Sequence, residues 1–163
     1  MSSAAEARFR INYPNSVPRV VKVIALDHAS EQVVKRVAQH NWQRAAFFAS
    51  VKFDGAPREG EGWSIQAWLS DLAGRTKALV EEVNSADLVV MVSSAGTGAQ
   101  AAAVIGEACA VRKVMTTALI IGSEQRSDEE LSKTLAALRP YASMVVIANA
   151  DDYIEEMLYA LRA

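Results

Sequence analysis

The sequence predicts a doubly wound α/β domain with a mainly parallel, five-stranded sheet. Short, β-branched apolar runs alternate with amphipathic stretches along the chain, which is typical of repeated strand–helix–strand units. Hydrophobic residues make up 51% of the chain and charged residues 22%, as in an ordinary soluble domain. The length of 163 residues suits one domain and is enough to bury a self-sufficient core.

Five apolar runs are short enough to be buried strands rather than helices. These predicted strands cover residues 20–26, 45–49, 87–92, 114–121 and 144–147. The predicted helices between and after them cover residues 31–40, 64–84, 99–111, 127–138 and 151–161. Ser30 is expected to cap the first helix, and Ser127 with Glu130 has the spacing of a capping box for the fourth. Right-handed crossovers then place helices on both faces of the sheet.

Ligands of a doubly wound sheet bind beside the carboxyl ends of its strands. The loops at that edge are therefore the candidate sites, and they cover residues 27–31, 50–61, 93–100, 122–127 and 149–152. Residues 1–18 are predicted to form an N-terminal extension, and residues 19–163 a single domain.

Charge and cysteine content exclude several classes of function. A net charge of −2 and a pI near 5.7 give no broad attraction for nucleic acid or for an anionic membrane. The single cysteine, Cys109, cannot form an internal disulfide, and without a His/Cys cluster it predicts no metal site. Residues 1–10 lack the apolar segment of a secretory signal, and no apolar run approaches the ~20 residues that span a bilayer. We therefore expect a cytoplasmic protein.

A loop of small residues after the third predicted strand is the strongest local signal. Gly96-Thr97-Gly98 lies between that strand and an Ala-rich helix, where backbone N–H groups and the helix N-terminus favour an anion. The alternative is a tight turn in which small residues only permit close packing. The loop also fits Gly96-x-Gly98-x-x-Ala101, a variant of the dinucleotide fingerprint, although that motif normally follows the first strand.

The stretch from Ala86 to Glu107 resembles the signature of the FtsZ/tubulin family. In FtsZ a strand that begins Ala-Asp leads into GGGTGTG and then into a helix reading AAPVIAE, and here Gly96-Thr97-Gly98 matches the centre of that signature. Three further segments resemble FtsZ in the same order, at residues 22–24, 47–49 and 138–149. The resemblance implies a fold of the tubulin/FtsZ nucleotide-binding-domain type and a guanine nucleotide as the ligand.

Several positions depart from the family pattern. Asp27 and His28 stand where FtsZ has the glycines that approach the phosphates, and the carboxylates of Asp27 and Glu31 would repel a triphosphate. Gln32 falls at the position of the asparagine that reads guanine, and Asn149 matches the last asparagine near the base and ribose. Both side chains can still donate and accept hydrogen bonds.

The expected phosphate loop also differs from the FtsZ loop, because serines and alanine replace or flank its glycines. Its expected ligand-contacting residues are Ser93, Ser94, Ala95, Gly96, Thr97 and Gly98. Residues 54–60 stand in the place of the γ-phosphate-sensing loop without a recognisable match. The second domain of the family, with its catalytic acidic loop, has no counterpart before residue 163. GTP hydrolysis of the FtsZ kind is therefore not expected from this chain alone.

Other residues with reactive side chains can be explained by an ordinary structural role as well as by a chemical one. His28, at the carboxyl end of a strand between acidic neighbours, could act as an acid or base, or it could be an exposed loop histidine. Ser93 and Ser94 lack the surroundings of a nucleophilic serine and are expected to form loop hydrogen bonds. Cys109 is expected to be buried and inert.

The residues favour a non-catalytic, FtsZ-like binding or assembly module with a degenerate nucleotide cleft, and the protein is expected not to be an enzyme. The alternative is a GTP-binding protein whose hydrolysis needs groups from a partner chain. An enzyme that uses His28 on another substrate is a third hypothesis. The expected cofactor is at most a guanine nucleotide, with no metal. The expected partner is a second copy or another protein, with neither nucleic acid nor membrane.

Overall fold

A seven-stranded mixed sheet forms the centre of the fold in the computed structural model, which describes residues 18–50, 68–71, 75–96, 100–149 and 151–163. The strands are β1 Val21–Ala25, β2 Ala45–Ser50, β3 Trp68–Asp71, β4 Thr76–Ala78, β5 Leu88–Ser94, β6 Met115–Ile121 and β7 Met144–Ala148. Their order across the sheet is β4-β3-β2-β1-β5-β6-β7. The last five strands in this order, β2, β1, β5, β6 and β7, are mutually parallel.

Five α-helices connect these strands within the described ranges. They are α1 His28–Val37, α2 Leu79–Asn84, α3 Gln100–Arg112, α4 Asp128–Leu138 and α5 Asp151–Ala160. Two short 3₁₀ turns, Ser123–Gln125 and Arg139–Tyr141, follow β6 and α4. None of the helices within these ranges is long and apolar enough to cross a membrane.

The sheet has two faces, and each is covered by its own hydrophobic core. Side chains of α2, α3 and α4 pack on one face, where Ile105, Leu138 and the single cysteine are buried. Side chains of α1 and α5 pack on the other, where Val33, Ile154 and Leu158 are buried. Successive residues of β5 point alternately into the two cores, because side chains along a strand alternate between its faces.

The predicted α/β class and the five parallel strands are confirmed, but the prediction of a five-stranded sheet is wrong. Two further strands, β3 and β4, extend the sheet antiparallel beyond β2. Both lie in the segment 64–84 that was predicted as helix, with a break allowed near Gly74. Among the described residues of that segment, only Leu79–Asn84 is helical. An apolar periodicity over so short a segment does not distinguish helix from strand, whereas the backbone groups of β2 need a partner.

The predicted start of the first helix is also wrong. Asp27, not Ser30, is the N-cap of α1, with an extended backbone at φ −146° and ψ 172°. Its carboxylate accepts the Ser30 N–H, and the Ser30 side chain returns the bond to the Asp27 backbone. The predicted capping box of Ser127 and Glu130 at the start of α4 is confirmed.

Candidate functional site

The sheet changes winding direction between β1 and β5. From β1 the chain passes through α1 to β2 on one side, and it later returns to β5 on the other side of β1. Ligands of α/β sheets bind at such a point, beside the carboxyl ends of the strands. The loops after β1, β5, β6 and β7 meet at this edge and build the candidate site.

Asp27 closes the gap between the ends of β1 and β5. Its carboxylate accepts hydrogen bonds from the Ser30 N–H at 2.9 Å, the Ser94 N–H at 2.8 Å and the Ser94 hydroxyl at 2.9 Å. The buried Ser93 hydroxyl lies 3.4 Å from the same carboxylate. Backbone N–H groups at a helix N-terminus are the usual ligands of a bound phosphate. Here a carboxylate of the chain itself takes the place of that phosphate.

The loop after β5 turns away from α1 and towards α4. The Ala95 N–H donates to the Ile121 carbonyl, and the Gly96 N–H donates to the Thr134 hydroxyl at 2.9 Å. Gly96 has a φ of +88°, which glycine adopts without strain. The first donors of the expected phosphate loop are therefore already engaged within the protein. Thr97 and Gly98, its other expected members, lie outside the described residues.

A cleft of about 390 Å³ opens beside this closed gap, between α1 and the ends of β5, β6 and β7. Arg36 of α1 and Arg126 of the loop after β6 both line it, so we call it the Arg36–Arg126 cleft. The Arg126 guanidinium is 3.8 Å from the Glu130 carboxylate and remains half-exposed. Guanidinium groups match carboxylate and phosphate oxygens in geometry as well as charge, so the cleft favours an anion.

The floor and far end of the Arg36–Arg126 cleft are less charged. Ile121, Ala148 and Ile154 contribute apolar surface. Asn149, the predicted base-contacting residue, also lines the cleft, and its side-chain oxygen accepts the Ser123 hydroxyl at 2.9 Å. Apolar walls with a few placed polar groups are what small-molecule sites usually present. The cleft can hold a small ligand that is anionic at one end and flat or apolar at the other.

The remaining predicted site residues lie on the outer side of α1. The His28 side chain is 86% exposed, in the first turn of the helix, with its Nδ1 atom 3.9 Å from the Glu31 carboxylate. Glu31 pairs with Lys35 at 2.7 Å along the helix. Gln32 is exposed and does not line the Arg36–Arg126 cleft. The structure thus brings Asp27, Ser94 and Asn149 to one edge and leaves His28 and Gln32 at the surface.

Sequence reasoning missed the two arginines. The loop after β6 was expected to face a ligand, and Arg126 within it was a readable signal. Arg36 carried no such signal, because a basic residue in the last turn of a helix is ordinary. Within the described ranges, no group of three or more His, Cys, Asp or Glu residues could hold a metal ion.

Cys109 lies on the opposite face of the sheet, away from the Arg36–Arg126 cleft. It is 1% exposed within the core formed by α2, α3 and α4. Burial raises the pKa of its thiol to about 11, because the thiolate would lose hydration there, and Arg112 opposes the shift only in part. The predicted burial of Cys109 is therefore confirmed, and its thiol is protonated at neutral pH.

Comparisons with known proteins identify a likeness of fold. No protein-family model matches the chain, and no curated protein sequence matches it. Among solved structures, translation elongation factor SelB from Methanococcus maripaludis in complex with the GTP analogue GppNHp superposes with a TM-score of 0.50 and 11% identity. The match covers 87% of this chain and 33% of that chain. The apo form of the same factor gives a TM-score of 0.48, with 12% identity over 87% of this chain and 34% of that chain.

The chain therefore spans about one third of the length of the elongation factor that it matches. The predicted membership of the FtsZ/tubulin family is wrong, since the structures found are SelB and neither FtsZ nor tubulin. The short stretches behind that prediction have a general physical cause. A strand that turns into a helix needs small residues in the turn, and a helix that packs closely on a sheet needs alanine. Gly96 and the alanines of α3 meet those needs here, whatever the ancestry of the chain. What the comparisons establish is an α/β fold similar to that of a GTP-analogue-bound protein.

Proposed function

We propose that the protein is a nucleotide-binding module, with a guanine nucleotide as its first candidate ligand. The observation that carries the proposal is the Arg36–Arg126 cleft, which joins two guanidinium groups to an apolar wall at the carboxyl edge of a parallel sheet. The SelB structure of similar fold contains a GTP analogue, which supports the choice of guanine among the bases. We place this activity in the cytoplasm, where guanine nucleotides occur and the buried Cys109 stays reduced.

The orientation of the ligand follows from the charges that line the cleft. Its phosphates face Arg36 and Arg126, because these are the cationic groups of the wall. Its base and ribose lie towards Ile121 and Ile154, within reach of the Asn149 amide. The α1 N-terminus does not receive a phosphate, because the Asp27 carboxylate occupies that position.

The proposal is for binding without hydrolysis by this chain alone. The sequence contains no Gly-Lys-Ser or Gly-Lys-Thr, the end of the phosphate-binding loop of P-loop NTPases. The segment after β1 instead reads Asp27-His28-Ala29-Ser30, the cap and first turn of α1, without a glycine or a lysine. Any hydrolysis would need groups from a partner chain.

A second candidate function is a binding or assembly module that takes no nucleotide. Two hydrogen bonds favour it: the Asp27 carboxylate accepts the Ser94 N–H, and the Thr134 hydroxyl accepts the Gly96 N–H. Each engages an N–H group that could otherwise bind a phosphate at the carboxyl edge of the sheet. The two candidates make opposite predictions for the same titration.

Isothermal titration of the folded protein with GTP, GDP, GMP and ATP, with and without Mg²⁺, tests the proposal. We expect a guanine nucleotide to bind with a Kd below about 100 μM, or −5.5 kcal/mol. Arg126→Gln and Arg36→Gln should each weaken binding about tenfold or more, since each removes a charge-assisted contact. Lys133→Gln is the matched control, because Lys133 is an exposed α4 cation outside the cleft.

Either of two results would overturn nucleotide binding in this cleft. One is the absence of heat with every nucleotide from a sample that circular dichroism shows to be folded. The other is binding that Arg36→Gln and Arg126→Gln leave unchanged. The first result would support the nucleotide-free assembly module.

A further inference from the structure

The Arg126 side chain faces both the Arg36–Arg126 cleft and the first turn of α4. It lines the cleft, and its Nη1 atom lies 3.8 Å from the Oε1 atom of Glu130. Glu130 is not among the described residues that line the cleft. Opposite charges attract strongly at such a separation. The Glu130 carboxylate and an anionic ligand in the cleft would therefore bind the same guanidinium group from different sides.

Glu130 is held beside Arg126 by contacts that involve no ligand. Its Oε2 atom accepts the Ser127 N–H at 3.3 Å, as one half of the capping box of α4. One turn later, the Thr134 hydroxyl donates to the Glu130 carbonyl at 3.2 Å. The side chains of Arg126 and Glu130 also both lie against Gly96, because a Cβ atom added there would be 3.6 Å from the Arg126 Cδ and 3.5 Å from the Glu130 Cδ. The fold thus places a carboxylate at the edge of the cleft.

The ion pair of Arg126 and Glu130 is loose enough for a ligand to replace it. The Arg126 side chain is 50% exposed and the Glu130 side chain 42%, and pairs with this exposure contribute little stability. A phosphate can approach a guanidinium to about 2.7–2.9 Å through two parallel hydrogen bonds, which is closer than the carboxylate lies here. Binding would exchange the loose pair for the closer one, and the loss of the first reduces the gain from the second.

We propose that Glu130 is an internal competitor for the Arg126 guanidinium, which lowers the affinity of the cleft for its anionic ligand. The inference rests on the proposed function, because it concerns the same cleft, and it adds what regulates the affinity of that cleft. Glu130 acts through Arg126 and does not touch the ligand. Removal of its charge should therefore strengthen binding, whereas removal of a charge that lines a binding site usually weakens it.

Glu130→Gln is the variant that separates the charge from the cap. Glutamine serves as well as glutamate at the third position of a capping box, so α4 keeps its N-terminus. Isothermal titration with GMP, GDP and GTP, without Mg²⁺, compares this variant with the wild type. We expect each nucleotide that binds to bind about two- to fivefold more tightly to Glu130→Gln, the range that a half-exposed ion pair allows.

Glu129→Gln is the matched control. Glu129 lies in the same turn of α4 and also pairs with a cation four residues later, Lys133, at 3.7 Å. Its substitution changes the net charge by the same amount, but Glu129 is 81% exposed and does not contact Arg126 in the described structure. We expect its affinities to match those of the wild type. Urea denaturation should give the two variants the same stability within about 0.5 kcal/mol, as for exposed substitutions.

A double-variant cycle shows whether Glu130 acts through Arg126. In the Arg126→Gln background there is no guanidinium to compete for, so Glu130→Gln should lose at least half of its effect on the logarithm of the affinity. A purely structural role of Glu130, or a general change in net charge, would leave the effect equal in both backgrounds.

The outcomes distinguish this inference from the proposed function. Binding to the wild type that Glu130→Gln leaves unchanged, or that Glu129→Gln strengthens equally, would overturn the competition and leave the nucleotide site intact. An undiminished effect in the Arg126→Gln background would do the same. No binding to the wild type or to Glu130→Gln would overturn both the site and the competition. Binding to Glu130→Gln alone would support the competition, although the wild type would then fail as a nucleotide-binding protein.

Discussion

Asp27 shows how one residue can decide what an edge of the sheet is able to bind. Its carboxylate caps α1 through the Ser30 N–H and also holds the end of β5 through both polar groups of Ser94. One charge therefore satisfies donors from two elements. A phosphate at this position would compete with a group that the chain itself supplies at no cost in translational entropy.

Replacing Asp27 with alanine should destabilise the fold more than the loss of an ordinary helix cap. A cap contributes about 1 kcal/mol, and hydrogen bonds to a charged acceptor about 1.5–3 kcal/mol, so we expect a loss of about 2–4 kcal/mol for Asp27→Ala. Urea denaturation, followed by far-UV circular dichroism, measures it.

Two variants separate the cap from the link to β5. Asp27→Asn keeps an oxygen for the Ser30 N–H and should lose about half as much stability. Ser127→Ala removes the cap of α4, which has no such link, and should lose about 1 kcal/mol. A loss for Asp27→Ala no larger than that for Ser127→Ala would show that the bonds to Ser94 contribute nothing.

At the scale of elements, α3 packs unusually close to the Arg139–Tyr141 turn. A Cβ atom added at Gly106 would lie 2.5 Å from the Cβ atom of Tyr141 and 2.9 Å from two atoms of its ring. Such distances are too short for carbon atoms, and the nearest one involves the Cβ of Tyr141, which a change of rotamer does not move. The absence of a side chain at Gly106 is what allows the helix and the turn to approach.

Gly106→Ala should therefore destabilise the protein, even though alanine is the better helix former by about 1 kcal/mol. We expect a net loss of about 1–3 kcal/mol from overpacking, measured by urea denaturation. Ala110→Gly, at an exposed position one turn later in the same helix, gives the helix-propensity term by itself. A stabilised Gly106→Ala variant would contradict the close approach.

At the scale of the whole molecule, the two hydrophobic cores share one sheet. β1, β5 and β6 each contribute alternate side chains to both cores, so neither core can persist when the sheet is lost. We therefore expect residues 19–163 to unfold in a single cooperative transition, as small single domains usually do.

One probe in each core tests this expectation. Cys109 reports the core formed by α2, α3 and α4, through its reactivity with a thiol reagent. Trp42 packs against the core formed by α1 and α5, and in a Trp63→Phe/Trp68→Phe variant its fluorescence reports that core alone. The two urea midpoints should coincide. Separate midpoints would mean that the two faces of the sheet unfold independently.

The sequence by itself determined the α/β class, the five parallel strands and the burial of Cys109. Each of these follows from local pattern, since the period and length of apolar runs distinguish buried strands from amphipathic helices. The capping box of Ser127 and Glu130 is equally local, because its partners are three residues apart. The carboxyl edge of the sheet could be predicted as the candidate site because it follows from the alternation of strands and helices along the chain.

Only the tertiary structure decided what that edge contains. The antiparallel strand β3 depends on the free edge of β2, which is far from it in sequence, and β4 forms only because β3 is there to pair with it. The sequence predicted that the Asp27 carboxylate would repel a phosphate. It did not show that this carboxylate binds Ser94, which is 67 residues away in the chain. Arg36 and Arg126 line one cleft because α1 borders the carboxyl edge of the sheet, where β6 ends. Local patterns fix which elements form, whereas the contents of a site depend on contacts between residues far apart in the chain, which no local pattern encodes.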